Sequence, residues 1–343
     1  MPLSPEARTR LDQHFADTAQ AFNVTPSNPS AGQHYSATPT VAQTLYKKVV
    51  EHGDEFLKKI NVIPVSEMKS EKVGMSRSGR SARRTNTGIG NERKPSNLLS
   101  LSSKKYELFP TEFDISLKYS QIDSWAKFEN FANTYMGVVR EGMGDDMLLV
   151  GFTGTHAADQ SDPETYPLLE DMNIGWLQIM RDFNGGSQYL KGTAEVPILL
   201  GSNNHKNLDV LIHQAKKMLP KHYQKRKDLV ALVGADILSN QEETYFEVSG
   251  NKPTEKAVLA NRITKAYGNL PTMSPTFFPD GCIFITPLAN LAIYFQDSSV
   301  RRTQKDKPEL GEVQDFNSVN QGYVVEDEEL GVFVENITLP SEE

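Results

Sequence analysis

The residue types that could do acid–base or covalent chemistry are present, but they are badly spaced for it. Asp145 and Asp146 are adjacent carboxylates. Neighbours on a helix point in different directions, so they make a poor acid/base couple. The histidines His14, His34, His52, His156, His205, His213 and His222 are scattered without ligand spacing, and surface or helix-end roles are expected for each. The single cysteine, Cys282, lies in the apolar run CIFIT and reads as a buried small hydrophobe. One thiol forms no internal disulfide, which points to a reducing compartment. GFTGT and FNGGS are glycine turns, and neither has the strand-to-helix context that cradles phosphate. Zincin, P-loop, nucleophile-elbow and paired CxxC motifs are absent. No catalytic residue, cofactor or metal is therefore expected.

One stretch does carry organised charge. Between Met68 and Pro95 there are eight basic residues (Lys69, Lys72, Arg77, Arg80, Arg83, Arg84, Arg93 and Lys94) against Glu71 and Glu92, a net of +6 in a chain whose total is −8. No aromatic residue occurs from Asn61 to Lys105, and Gly74, Gly79, Gly88 and Gly90 mark turns. Such a segment cannot form a core of its own. Three readings compete. It is a solvated basic loop, a nucleic-acid-binding arm that displaces counterions from phosphates, or a long two-stranded arm held by a neighbouring subunit. Against the second, no aromatic is interleaved to stack on bases.

The elements around this segment read as follows. Leu11, Phe15, Ala19 and Phe22 predict an amphipathic N-terminal helix, and residues 23–40 a Pro/Ser/Thr/Asn linker. That helix is either detachable or packed back on the body. A second helix is expected over 41–59, capped by Thr40 and interrupted at Gly53, followed by the β-like run 60–65. Phe113, Ile115, Leu117 and Tyr119 alternate along a strand over 111–119. Trp125, Phe128, Phe131, Ala132, Tyr135, Val138 and Val139 lie on one face of a long helix over 121–150, a rod of roughly 45 Å with a bend or break expected at Gly142 and Gly144. Residues 151–165 read as a loop and Tyr166–Phe183 as a helix. Compact α/β texture follows: a helix through Leu208, Leu211, Ile212, Ala215 and Leu219, a central strand at Leu229–Val233, and a helix through Ala257, Leu259, Ala260, Ile263 and Ala266. Strands are expected at 282–286 and 291–295, then further extended segments.

At 343 residues the chain can hold two or three domains. Its mean hydropathy of −0.47 suits a soluble protein with extended polar segments. The start lacks a signal peptide's apolar core, and no stretch is long enough to predict a membrane span. From Glu326 onward there are seven acids and no base.

The strings INVIPVSEMKSEKVG (60–74), LLEDMNIGWLQ (168–178), GNLPTMSPTFFPDGCIFITPLANLAIYFQDSSVRR (268–302) and NQGYVVEDEELGVFVENI (320–337) are long and idiosyncratic. Through them the chain, from about Thr40 to Ile337, resembles the major capsid proteins of Peduovirus-type tailed phages. The resemblance implies the α+β Hong Kong 97 capsid fold: an N-terminal arm, an extended β-hairpin loop, a long spine helix, and peripheral and axial domains. It implies a removable helix and linker at 1–40, an N-arm at 41–65, an extended loop at 66–105 and a peripheral domain at 106–194 with its spine at 121–150. The axial domain would span 195–290, with 291–343 returning to the peripheral domain and an acidic end. Function would be self-assembly, through pentamers and hexamers, into an icosahedral head around double-stranded DNA, without specific DNA binding and without enzymatic activity. The partners implied are the chain itself, an internal scaffolding protein, a prohead protease cutting near Tyr35, and a portal protein. Arg77, Arg80, Arg83 and Arg84 are the expected intersubunit contacts of the loop. Assembly in the host bacterial cytoplasm is implied. The alternative is a DNA-binding protein that uses the basic arm.

Overall fold

The computed structural model describes residues 3–22, 33–77, 82, 84, 99–125, 131–183, 187–201, 205–248 and 266–339. Ser4 caps helix α1 (Pro5–Ala21) by accepting from the Ala7 amide, and Leu11, Phe15 and Ala19 are buried along one face. Strand β1 (Gln33–Ser36) leads to α2 (Pro39–His52), which ends at Gly53 as expected. It starts from Thr38 rather than Thr40, because Pro39 fits the first helical position, where no amide hydrogen is needed. Then come β2 (Asn61–Val65), β3 (Lys69–Arg77) and β4 (Leu99–Glu107).

The strand expected over 111–119 is two strands, β5 (Phe109–Glu112) and β6 (Ile115–Lys118), in one register. The gap falls where the Asn317 side-chain amide donates to the Phe113 carbonyl. The alternation from Thr111 to Tyr119 holds throughout.

The spine region holds α3 (Tyr119–Trp125) and α4 (Phe131–Thr153), with 126–130 outside the described residues. The expected break is not there: α4 runs through Gly142 and Gly144. Gly144 serves packing instead, since a Cβ on it would lie 3.3 Å from the Gly53 Cα at the end of α2. The helix expected over Tyr166–Phe183 is confined to α5 (Trp176–Asp182). Pro167 removes a donor, and Leu169 adopts φ 59°, which a right-handed helix cannot include.

After β7 (Tyr189–Lys191) and β8 (Ile198–Leu199) comes α6 (Leu208–Met218), capped by the Asn207 side chain. Strand β9 (Leu229–Val233) runs straight into α7 (Ala235–Val248), a helix that sequence reasoning missed. The helix expected from Ala257 falls outside the described residues except for Ala266, which belongs to β10 (Ala266–Tyr267). The chain ends through β11 (Leu270–Met273), β12 (Ile283–Pro287), β13 (Leu291–Gln296), β14 (Arg301–Lys307), β15 (Glu312–Val325), β16 (Val332–Glu335) and β17 (Ile337–Thr338).

Two sheets organise these elements. The first runs β1-β14-β15-β13-β2, with β5 and β6 also paired to β15. The second runs β10-β11-β9-β12-β16-β7, with β9 inside it as its continuous apolar run predicts. Trp176 is buried against Phe56, Phe152 and Tyr323, and its indole N–H donates to the Ala292 carbonyl over 3.1 Å. Helices α4 and α5 are thereby fixed to the first sheet.

Gly151 of α4 lies under that ring, and a Cβ there would come within 2.4 Å of Trp176. Gly151→Ala is expected to destabilise the subunit by about 1–3 kcal/mol despite alanine's better helix propensity, as overpacked cores do. Chemical denaturation followed by tryptophan fluorescence checks this; an unchanged midpoint would mean that the contact relaxes freely.

Candidate assembly interface

The basic segment begins and ends as an arm. β3 and β4 form a nine-pair antiparallel ladder from Lys69↔Glu107 to Arg77↔Leu99, and among the described residues they pair with no other strand. Nine residues of strand extend about 30 Å. Opposite charges meet across the ladder at Lys69–Glu107, an ion pair, and at the register pair Glu71↔Lys105, whereas Lys72 stands opposite Lys104. A lone two-stranded ribbon is marginal in water.

The described contacts of the arm with the body lie at its base. Leu108 is fully buried with Ala292 and Tyr294, and the Tyr106 ring meets Tyr294 edge-on at 5.2 Å. Lys104 pairs with Glu328, and the Leu108 amide donates to the Met68 carbonyl over 2.9 Å.

Arg77 ends β3 opposite Leu99, Arg84 is exposed, and Arg80 and Arg83 lie outside the described residues. Tyr35, near the expected cut, is buried in β1 opposite Arg302 of β14. Asp145 and Asp146 diverge as adjacent helical positions must: of the two, Asp146 reaches a cleft against β5. Cys282 is buried, and burial first pushes its thiol up to about 12. Among the described residues no group of three His, Cys, Asp or Glu is placed to hold a metal ion.

Sequence reasoning missed the polar network under α1. Arg302 and Asp315, both almost fully buried, form a two-pronged ion pair between β14 and β15, with the Arg302 Nε 2.8 Å from Oδ1. Arg302 also meets the Met136 sulfur of α4 at 3.4 Å. Gln304 donates to His14 Nε2 over 3.3 Å, which requires that nitrogen to be unprotonated. Arg8 of α1 binds Asp306 at 2.6 Å, and Tyr119 donates to the same carboxylate. α1 is thus packed on the body. No sequence signal marks this network, because α1 meets β14 in it across about 290 residues.

A two-stranded arm that pairs within itself, on a body whose described residues hold no metal cluster, suits a building block. The model of the family "Phage major capsid protein, P2 family" matches residues 10–337. The chain is 32% identical to the capsid proteins of Escherichia phage P2, over 98% of this chain and 95% of that one. It is 30% identical to the major capsid protein of Serratia phage KSP20, over 98% of each. The solved satellite phage P4 procapsid including size determination (Sid) protein superposes with a TM-score of 0.70 at 33% identity, covering 86% of this chain and 99% of that one. The chain belongs to the P2 family of phage major capsid proteins. It is a structural protein of the virion shell and not an enzyme, its fold is the phage capsid fold, and nothing in these likenesses supports the DNA-binding alternative. No described helix is long and apolar enough to cross a membrane.

The His14 contact gives α1 a pH dependence. Burial first, and the Arg302 guanidinium second, lower the His14 pKa from 6.5 to about 4. A histidine held neutral in the fold stabilises docking fully above its unfolded pKa, and that stability is lost as pH falls from 6.5 toward 4. Hydrogen exchange of the α1 amides, corrected for intrinsic rates, is expected to show protection weakening by about 3 kcal/mol across that window. His14→Gln should flatten the profile; an unaltered profile in that variant would assign the effect to the carboxylates instead.

Proposed function

We propose that this subunit builds an icosahedral head through pentamers and hexamers joined by the β3–β4 arm, and that the head encloses double-stranded DNA without gripping it. The observation that carries this reading is a long paired arm whose described contacts with the body lie at its base. A ribbon that is marginal alone gains order when a second chain covers it, and closed symmetry repeats each modest contact many times. The net charge of −8 suits a wall that lets the duplex slide.

In this scheme the seven-stranded sheet with α4 is the peripheral domain and residues 195–290 the core of the axial domain, together with β7 and β16, which pair onto its sheet. Residues 66–105 are the extended loop, its ladder reaching Glu107. Arg77, Arg80, Arg83 and Arg84 make intersubunit contacts. Assembly takes place in the host bacterial cytoplasm with an internal scaffolding protein and a portal protein. A prohead protease removes the segment ahead of β1, on the N-terminal side of Tyr35, whose own backbone is paired with Arg302. Loss of α1 would uncover the Arg302–Asp315 pair, so trimming changes the surface that the body presents.

Replacing residues 70–104 by a short Gly-Ser turn is the test. Closed shells are expected to disappear in negative-stain micrographs, while the free subunit keeps its secondary structure and its unfolding midpoint. Intact shells from the shortened chain would remove the arm from the joint.

A further inference from the structure

A cleft of about 460 Å3 lies beside the base of the arm, with β5 and the adjoining β15 strand on one side, α4 on another and the 158–172 loop on a third. Five carboxylates line it, those of Glu112, Asp114, Asp146, Asp159 and Asp171, and no lysine, arginine or histidine does. A cluster of acids alone says little, since exposed faces often carry one. Here the lining also holds buried acceptors with nothing to accept. Asp171 is 2% exposed, and while its Oδ2 accepts from the Asp162 amide, its Oδ1 has no partner. Gln321 and Thr111 are 1% and 3% exposed, and the Gln321 Oε1 and Thr111 Oγ1 are equally unpartnered. Buried polar atoms are nearly always satisfied, so these point to a missing donor.

The chemistry selects a cationic donor. Carboxylates and an amide oxygen can only accept, and the hydroxyl can accept as well. A planar guanidinium offers five N–H groups to such a set. Desolvation first and Glu112 second hold the Asp114 carboxyl above its ordinary range, and desolvation and Asp145 do the same for Asp146. A cation in the cleft relieves both. Among the described residues no three His, Cys, Asp or Glu are placed to hold a metal ion, and a side-chain cation fits the set of acceptors.

We propose that this acidic cleft is the socket for the basic arm of a second copy of the chain, an inference that rests on the arm being an intersubunit joint. Charge and reach together name the occupant. Residues 68–95 carry a net +6 in an acidic chain, and the other basic run, Lys216 to Lys227, belongs to α6 and the turn after it, within the body. Within one subunit the nine-pair ladder separates Arg77 from the arm's base by about 30 Å of strand, so a neighbour's arm fills the cleft. Arg side chains entering beside Asp171 and Gln321 would be desolvated and two-pronged, unlike exposed surface pairs.

Charge exchange in cells supplying the phage's other head proteins tests the proposal. Three chains are compared: E112K/D114K, R83E/R84E, and the two combined. Glu112 and Asp114 are exposed, and unaltered unfolding midpoints of the purified subunits establish that each chain folds. Each reversal alone is expected to lower the yield of closed shells by about tenfold or more, because like charges set against each other reject a partner, and the combined chain is expected to recover most of it. Carbodiimide labelling of Glu112, Asp114 and Asp159 should slow by about tenfold from free subunits to shells, as a buried interfacial carboxylate does.

Normal shells from E112K/D114K, with R83E/R84E still defective, would overturn the cleft but leave the arm as a joint. Normal shells from both would overturn the arm reading itself. Single defects without recovery in the combined chain would place the arm elsewhere. Equal labelling in free subunits and shells would assign the cleft to the subunit's own arm.

Discussion

Strand β15 holds the body together because both of its edges are used. Over 14 residues it pairs with β14 along Glu312–Ser318, with β6 along Glu312–Asp315, with β5 along Ser318–Gln321 and with β13 along Gln321–Val325. A strand with both edges bonded leaves few backbone groups to solvate, so these polar residues can lie inside. Asp315 is the sharpest case. Its carboxylate is buried and balanced by Arg302 on the next strand, and Gln304 at 3.3 Å adds a donor. Such a pair contributes little net stability, yet removing one member costs about 3–5 kcal/mol because the other is left as an uncompensated charge. The pair therefore fixes which strands may neighbour β15 more than how tightly they bind.

That constraint reaches the outer elements. β13 carries β2 on its far edge, and β2 leads directly into the arm. Tyr294 of β13 holds Tyr106 at the arm's base, and Gln321 of β15 lies in the acidic cleft. The element that would reach out and the surface that would receive it are thus referenced to the same strands. A shell needs this: an error in the angle between arm and socket would be repeated at every joint and prevent closure.

The sequence disclosed what is local. The alternation of 111–119, the apolar run at Leu229–Val233 and the Leu208–Leu219 periodicity each depend on a few adjacent residues, and each element formed there. The failures arose where distant chain decides. Leu168, Leu169 and Met172 have helical spacing, but the 154–175 segment is tied by bonds such as the Thr155 amide to the Glu170 carbonyl at 2.7 Å, which a helix from Tyr166 could not make. Gly142 and Gly144 suggest weakness until Gly53 is placed opposite Gly144. α7 was overlooked because ADILSNQEETYFEV has few apolar positions to reveal a face.

The candidate site divides in the same way. The arm was legible because charge excess and missing aromatics are compositional, and a segment that cannot make a core must find support elsewhere. The cleft was not legible. Thr111, Asp146, Asp171 and Gln321 come from four separate stretches, and none is unusual in its own neighbourhood. Thr111, Asp171 and Gln321 share a buried side-chain oxygen that meets no hydrogen-bond donor, a property that exists only once the chain is folded. In an assembling protein the surface that reaches out can be written in one segment, since it must act beyond its own fold. The surface that receives it has to be built from several segments, since it is part of that fold. A basic arm is therefore visible in sequence before its acidic partner is.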